Sequence, residues 1–183
     1  RLAHEAARLK IGVMLHGVIG ISLETAESPQ AVVFAIADAL GMRLTDAAPP
    51  LAQVVEHLRP RELLLVLDNL EHLLSGHAAA LSQILAAILS GAPGARILAT
   101  SREPLRSSWE RVFTLDGLTE SDGAALFART AQRLAPAFRA DAHEPEIARI
   151  VSLARGLPLA IQLAASAVDA RGPGEIADDL AGG

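Results

Sequence analysis

Residues 64 to 72 read Leu-Leu-Val-Leu-Asp-Asn-Leu-Glu-His, so four large apolar side chains lead directly into Asp68, Asn69, Glu71 and His72. In parallel α/β sheets ligands gather just beyond the carboxyl ends of the strands, which is where an acid after an apolar run of strand length is carried. A carboxylate in that position can hold Mg²⁺, and the ion then bridges phosphate oxygens. Asp68-Asn69 is also good turn chemistry and could do no more than redirect the chain and cap the next segment. A second run, Arg96-Ile97-Leu98-Ala99-Thr100-Ser101-Arg102, ends in two hydroxyls and a guanidinium. Arginine offers a planar fork of donors that matches phosphate oxygens. Asp68 with Thr100, Ser101 and Arg102 therefore makes a plausible grip for a metal-bound polyphosphate, and the plainer alternative pairs Arg102 with Glu103 or Glu110. In a third stretch, Arg155-Gly156-Leu157-Pro158-Leu159-Ala160, glycine closes one helix and Pro158 opens the next.

The elements that must carry these residues alternate. A helix is expected over residues 1 to 9, with Leu2, Ala6 and Leu9 on one face, and a strand over Val18 to Leu23. Ser28-Pro29 reads as a cap and first turn of a helix through Phe34 and Leu40, closed by Gly41 in a left-handed conformation. Pro49-Pro50 opens a short helix to about Leu58, which Arg59-Pro60 breaks. Leu63 to Leu67 is continuously apolar, as expected of a strand buried on both faces of a parallel sheet. A helix from about His77 to Leu89, a turn at Gly91 to Gly94, a strand from Arg96 to Thr100 and a short strand from Val112 to Leu115 come next. From Thr119 the pattern becomes helical, with helices through Leu126 and Leu134, near 144 to 154 and over 158 to 169. The tail at Gly182-Gly183 looks frayed. This order predicts an α/β fold with a parallel sheet flanked by helices in residues 1–117 and a small helical subdomain in 118–183.

Composition narrows the chemistry. Of 183 residues 51% are hydrophobic but only 3% aromatic, which predicts an aliphatic core. A formal charge of -5 argues against a chain-wide electrostatic grip on nucleic acid or anionic lipid. Absence of cysteine excludes disulfides and thiolate metal sites. No apolar run reads as approaching the roughly 20 residues that span a bilayer, and no signal peptide is evident, so a cytoplasmic location is expected.

Taken in order, "LLLVLDNLEHLL", "GARILATSREPL", "FTLDGLTESDGAALFARTAQRL" and "GLPLAIQLAA" resemble the nucleotide-binding module of STAND signal-transduction ATPases, the NB-ARC-like group of many multidomain bacterial transcriptional regulators. The opening "RLAHEAARL" looks like the helix directly after that family's phosphate loop, so the resemblance covers essentially the whole chain. It implies a P-loop NTPase-like fold binding ATP or ADP with Mg²⁺. It makes Asp68 the Walker B acid and metal ligand, Thr100, Ser101 and Arg102 the sensors of the terminal phosphate, and Pro158 a neighbour of the adenine. Expected partners are the nucleotide, further copies of the chain and neighbouring domains of a longer parent.

One departure is large. A phosphate loop needs G-x-x-x-x-G-K-[ST], because its backbone N–H groups wrap the phosphates and its lysine reaches the terminal pair. The single lysine, Lys10, stands between Leu9 and Ile11 with no glycine-rich turn before it. The loop and the strand feeding it are therefore expected just before Arg1, and catalysis by this chain alone should be negligible. Asn69 occupies the place where many hydrolytic relatives put a second acid to activate water, and an amide cannot accept that proton. Glu71 is a fallback two positions on. The resemblance thus favours a slow ATP/ADP switch in a regulator, the alternative being a degenerate interaction scaffold. An unrelated enzyme has little support, since no Ser-His, Cys-His or paired-carboxylate set stands out.

Other residues have plainer readings. His4-Glu5-Ala6-Ala7-Arg8 lacks the second histidine of a zinc-binding helix. His72 and His77 are five apart, off the helical spacing for a shared metal. His16-Gly17-Val18-Ile19-Gly20 reads as a strand entry, the run from Arg102 to Arg111 as a solvated face, and Trp109 as a packing anchor.

Overall fold

The computed structural model describes residues 2–182; Arg1 and Gly183, which carry the ends of the first expected helix and of the tail, lie outside the described residues. The chain runs α1 (Leu2–Arg8), β1 (Val18–Ser22), α2 (Pro29–Ala39), α3 (Pro50–Leu58), β2 (Leu63–Asp68), α4 (Glu71–Gly91), β3 (Ala95–Ala99), α5 (Glu120–Leu134), a 3-10 turn (Ala140–His143), α6 (Glu144–Leu153), α7 (Pro158–Ser166) and α8 (Pro173–Gly182). Its contacts divide it into Arg1–Val112 and Phe113–Gly183, ahead of the seam expected near 117.

In the first unit three parallel strands lie in the order β1-β2-β3. Ile19, Leu65 and Ile97 are in register, as are Val18, Leu64 and Arg96. Alternation along β2 sends Leu63, Leu65 and Leu67 to one face, where they meet Val32, Val33 and Ile36 of α2, Leu58 of α3 and Leu81, Leu85 and Ile88 of α4. Leu65 and Leu67 are fully buried, each worth roughly 1.5–3 kcal/mol relative to exposure. Leu64 and Val66 point the other way, toward Ala3 and Ala7 of α1, with Met14, Val18 and Leu98 beside them. Both faces of β2 are thus covered, which is why its sequence is apolar without alternation.

The helix boundaries reflect local chemistry. Ser28 accepts the N–H of Ala31 at 3.2 Å and Pro29 fills the first turn of α2. Gly41 takes φ 67° after that helix, as its C-terminal position requires. In the second unit Thr119 accepts the N–H of Asp122 at 3.1 Å and opens α5. Phe127, Ile150 and Ile161 form the centre of a separate core that also takes in Ile176 and Ala177 of α8.

The structure corrects several expectations. Val112 to Leu115 form no strand; Val112, Phe113 and Leu115 are exposed, because strand-prone residues need a partner strand and none of the described residues supplies one. Helix α8 is not expected from the sequence because Gly174 and Gly182 disguise the periodic Pro173, Ile176 and Ala177, all buried. Helix α4 begins at Glu71 rather than His77, with non-helical backbone at Ser75 and Gly76 between a first turn and the long segment. Its 21 residues are then long and apolar enough to cross a membrane by length and composition, against the reading that no run approaches that length. Leu73, Leu81, Leu85 and Ile88 of α4 are nevertheless buried in the sheet core.

Candidate functional site

The carboxyl ends of β2 and β3 bring Asp68 and Thr100 together. Thr100 lies one residue beyond β3, and its hydroxyl donates to Asp68 Oδ1. The Thr100 hydroxyl oxygen in turn accepts the backbone N–H of Asn69 at 3.0 Å. Thr100's own N–H donates to Leu67 O at 2.9 Å, and its carbonyl accepts the N–H of Leu70 at 3.0 Å. On the other side of β2, Leu23 N–H donates to the carbonyl of Asp68 at 3.0 Å, fastening the exit of β1. The partly buried Asp68 carboxylate is therefore aimed by a hydroxyl that is itself fixed by backbone hydrogen bonds.

Asn69 sits at φ 67°, a left-handed conformation that asparagine tolerates better than most residues. The backbone turns sharply there, so Asn69 is exposed and its contact with Thr100 is through its main chain. Asp68-Asn69 does act as turn chemistry, but neither side chain caps α4, whose N-cap is Leu70.

Arg102 is held quite differently. Its side chain is 84% exposed and its Nε donates to Glu71 Oε1 at 3.2 Å. Of the expected partners, Glu110 has its carboxylate engaged by the N–H groups of Leu105 at 2.9 Å and Arg106 at 2.8 Å, while Glu103 bonds through its main chain, its N–H donating to Ser101 Oγ at 3.1 Å. Ser101 is thus committed to its own turn and is exposed. Trp109, expected as an anchor, is 40% exposed. An exposed ion pair such as Arg102–Glu71 is worth at most about 1 kcal/mol, so the guanidinium is free to exchange partners at little cost.

Pro158 belongs to the second unit, where it begins α7 and is exposed. It comes after two left-handed residues, Arg155 at φ 50° and Gly156 at φ 67°. Gly156 is required for a second reason: a Cβ there would come within 2.4 Å of the Leu118 carbonyl oxygen, and the Gly156 carbonyl accepts the Leu118 N–H at 2.8 Å. The "RGLP" turn is thereby locked to the segment before α5.

Three contributors are not visible as such in the sequence. Glu71 holds Arg102. His72 Nε2 donates to the Ala26 carbonyl at 2.8 Å, tying the first turn of α4 to the loop after β1. Gly117 lies where a Cβ would meet the Arg155 carbonyl oxygen at 2.2 Å. A lone glycine outside a turn motif is the one available signal for the last. No group of three or more His, Asp and Glu able to hold a metal occurs among the described residues.

No family model matches the chain. It is 40% identical over 122 residues to proteins of Mycobacterium tuberculosis and Mycobacterium bovis that are named as candidate HTH-type transcriptional regulators; the match covers 66% of this chain and 13% of theirs. It is also 30% identical over 175 residues to a protein of Mycobacterium tuberculosis named only as uncharacterized, covering 92% of this chain and 44% of that one. The chain thus spans less than half the length of these relatives, and the similarity links it distantly to transcriptional regulators.

Proposed function

We propose that the chain is part of an ATP/ADP-binding regulatory switch in a longer cytoplasmic transcriptional regulator. The observation that carries this reading is the juxtaposition, at the carboxyl end of a parallel sheet, of a carboxylate aimed by Thr100 and a loosely paired guanidinium. Asp68 suits Mg²⁺, an ion that takes one or two protein carboxylates and fills the rest of its shell with water and phosphate oxygens. That chemistry needs no cage of acidic residues. Arg102 would leave Glu71 for the terminal phosphate, an exchange of one exposed anion for a stronger one. Thr100 orients the carboxylate, Ser101 braces the turn that presents Arg102, and Pro158 would lie toward the base. The phosphate-wrapping loop that this sequence lacks would come from residues preceding α1 in the parent.

Asn69 supports a switch over a turnover enzyme. Its left-handed backbone makes it a turn residue, and an amide beside Asp68 cannot take a proton from water. Partners are then the nucleotide and the parent's other domains or copies, with nucleic acid contacted elsewhere in the parent. A second reading, an interaction scaffold without nucleotide, is favoured by one observation: Asp68 and Arg102 already have internal partners.

Calorimetric titration of Mg-ATP and ADP into the parent and into this chain separates the two. The switch predicts micromolar binding by the parent, and binding no better than about millimolar by the chain alone, which lacks a backbone nest for the phosphates. Absence of binding by the parent would leave the scaffold.

A further inference from the structure

Within the second unit a groove of about 600 Å³ lies between α5 and α6. Its floor is formed by Ala124, Ala125 and Ala128 of α5 and by Ile147 and Ala148 of α6. Spacings of three and four keep each set on one face of its helix. Ala125 is exposed and Ala124, Ala128 and Ala148 are half-buried, so the floor is apolar and open to a partner. The inward face of α5 is spent on the core through Phe127, Thr130 and Ala131. Side chains as small as alanine let another element approach these two helices closely, because interaxial distance follows side-chain size. From Glu120 to Ala128 the α5 wall runs about 12 Å, roughly two helical turns.

Charge says what would fill it. Glu120, Asp141 and Glu144 all line the groove. An acid in the first turn of a helix is expected from the helix dipole alone, but Asp122 in α5 and Glu146 in α6 already supply one each and do not line the groove. Other acids of the unit are engaged: Asp122 accepts the Thr119 hydroxyl at 2.8 Å, and Asp178 and Asp179 pair with Arg149 and Arg171. Asp141 meets Arg139 at 3.4 Å with both side chains exposed, and Glu120 and Glu144 have no side-chain partner among the described residues. Residues 113–183 hold ten Asp and Glu against six Arg, so four of the chain's five net negative charges fall in this unit. An alanine floor edged by uncompensated carboxylates complements a surface that is apolar along its middle and cationic along its sides. Two helices forming the walls, with no strand edge among the lining residues, suit a third helix laid between them rather than an extended peptide.

We infer that the α5–α6 groove is a docking site for a basic amphipathic helix of a partner protein, its large aliphatic side chains seated on the alanines and its Lys or Arg flanks facing Glu120, Asp141 and Glu144. The site is independent of nucleotide. Amide NMR spectra of the 183-residue chain, titrated with a helical peptide carrying leucine at i, i+3, i+4 and i+7 and lysine on both flanks, test it against a twin peptide with glutamate for lysine. The lysine peptide should shift the Ala124, Ala125, Ala128 and Ala148 amides saturably, with a dissociation constant below about 1 mM, and the glutamate twin should not. Glu120→Gln with Glu144→Gln should weaken binding roughly three- to thirtyfold, as the loss of two exposed ion pairs would. Ala125→Trp, at an exposed position, leaves the charge unchanged and fills the groove; with its remaining amide spectrum as in wild type, it should abolish saturable binding. Shifts confined to other residues, no shifts at all, or wild-type affinity in Ala125→Trp would overturn the assignment. So would spermidine moving the same four amides with the peptide's affinity, since a small cation rather than a helix would then be the occupant.

Discussion

Asp68 and Arg102 stand at the ends of neighbouring stretches of the sheet unit, yet one is built into the fold and the other rests on it. Asp68 receives Thr100's hydroxyl while Thr100 itself is stitched to Leu67, Asn69 and Leu70. Arg102 reaches one carboxylate from an 84% exposed position. The difference teaches how to read substitutions. On the proposed reading, a change at Asp68 or Thr100 would disturb folding and nucleotide binding together, whereas a change at Arg102 would report on nucleotide binding almost alone.

The largest effect should come from breaking the fixed half. Thr100→Val keeps the shape and removes both the donor to Asp68 and the acceptor for Asn69 N–H, so the chain should lose about 1–3 kcal/mol of stability in urea unfolding. A loss under about 0.5 kcal/mol, below the usual net worth of one hydrogen bond, would mean that water replaces the hydroxyl freely and that Asp68 is not aimed by it. Asp68→Asn, which keeps an oxygen for Thr100, should cost less than Thr100→Val in the same experiment.

The loose half should respond least. Arg102→Ala and Glu71→Ala should each change stability by no more than about 0.5 kcal/mol, as expected for an exposed pair. A loss comparable to that of Thr100→Val would make Arg102 a structural residue and erase the contrast.

The same contrast explains which features are legible in the sequence. Leu63 to Leu67 announce β2 because burial on both faces leaves an unbroken apolar run, and Asp68 is found from its place at the strand's end. Thr119 and Ser28 are legible as caps because their bonds reach only three residues along the chain. The Thr100–Asp68 bond spans 32 residues and exists only once β2 and β3 are in register. Arg102's choice of Glu71 over Glu103 and Glu110 is equally hidden, since it depends on where α4 begins and on which carboxylate the backbone at 105 and 106 has already claimed. Val112 to Leu115 fail as a strand for the complementary reason: local propensity cannot supply a partner. Gly117 is invisible because the backbone that excludes its Cβ is remote in sequence, at Arg155.

The central claim is that Arg102 distinguishes ATP from ADP. Only a contact that differs between the two nucleotides can move a two-state switch. The most direct measurement is the pair of affinities of the parent protein for Mg-ATP and for ADP, in wild type and Arg102→Ala. Loss of a charge-assisted contact of about 1.5–3 kcal/mol should shrink the ATP preference roughly ten- to a hundredfold while leaving ADP affinity nearly unchanged. Equal losses for both nucleotides, or no loss for either, would contradict the sensor role and with it the switch.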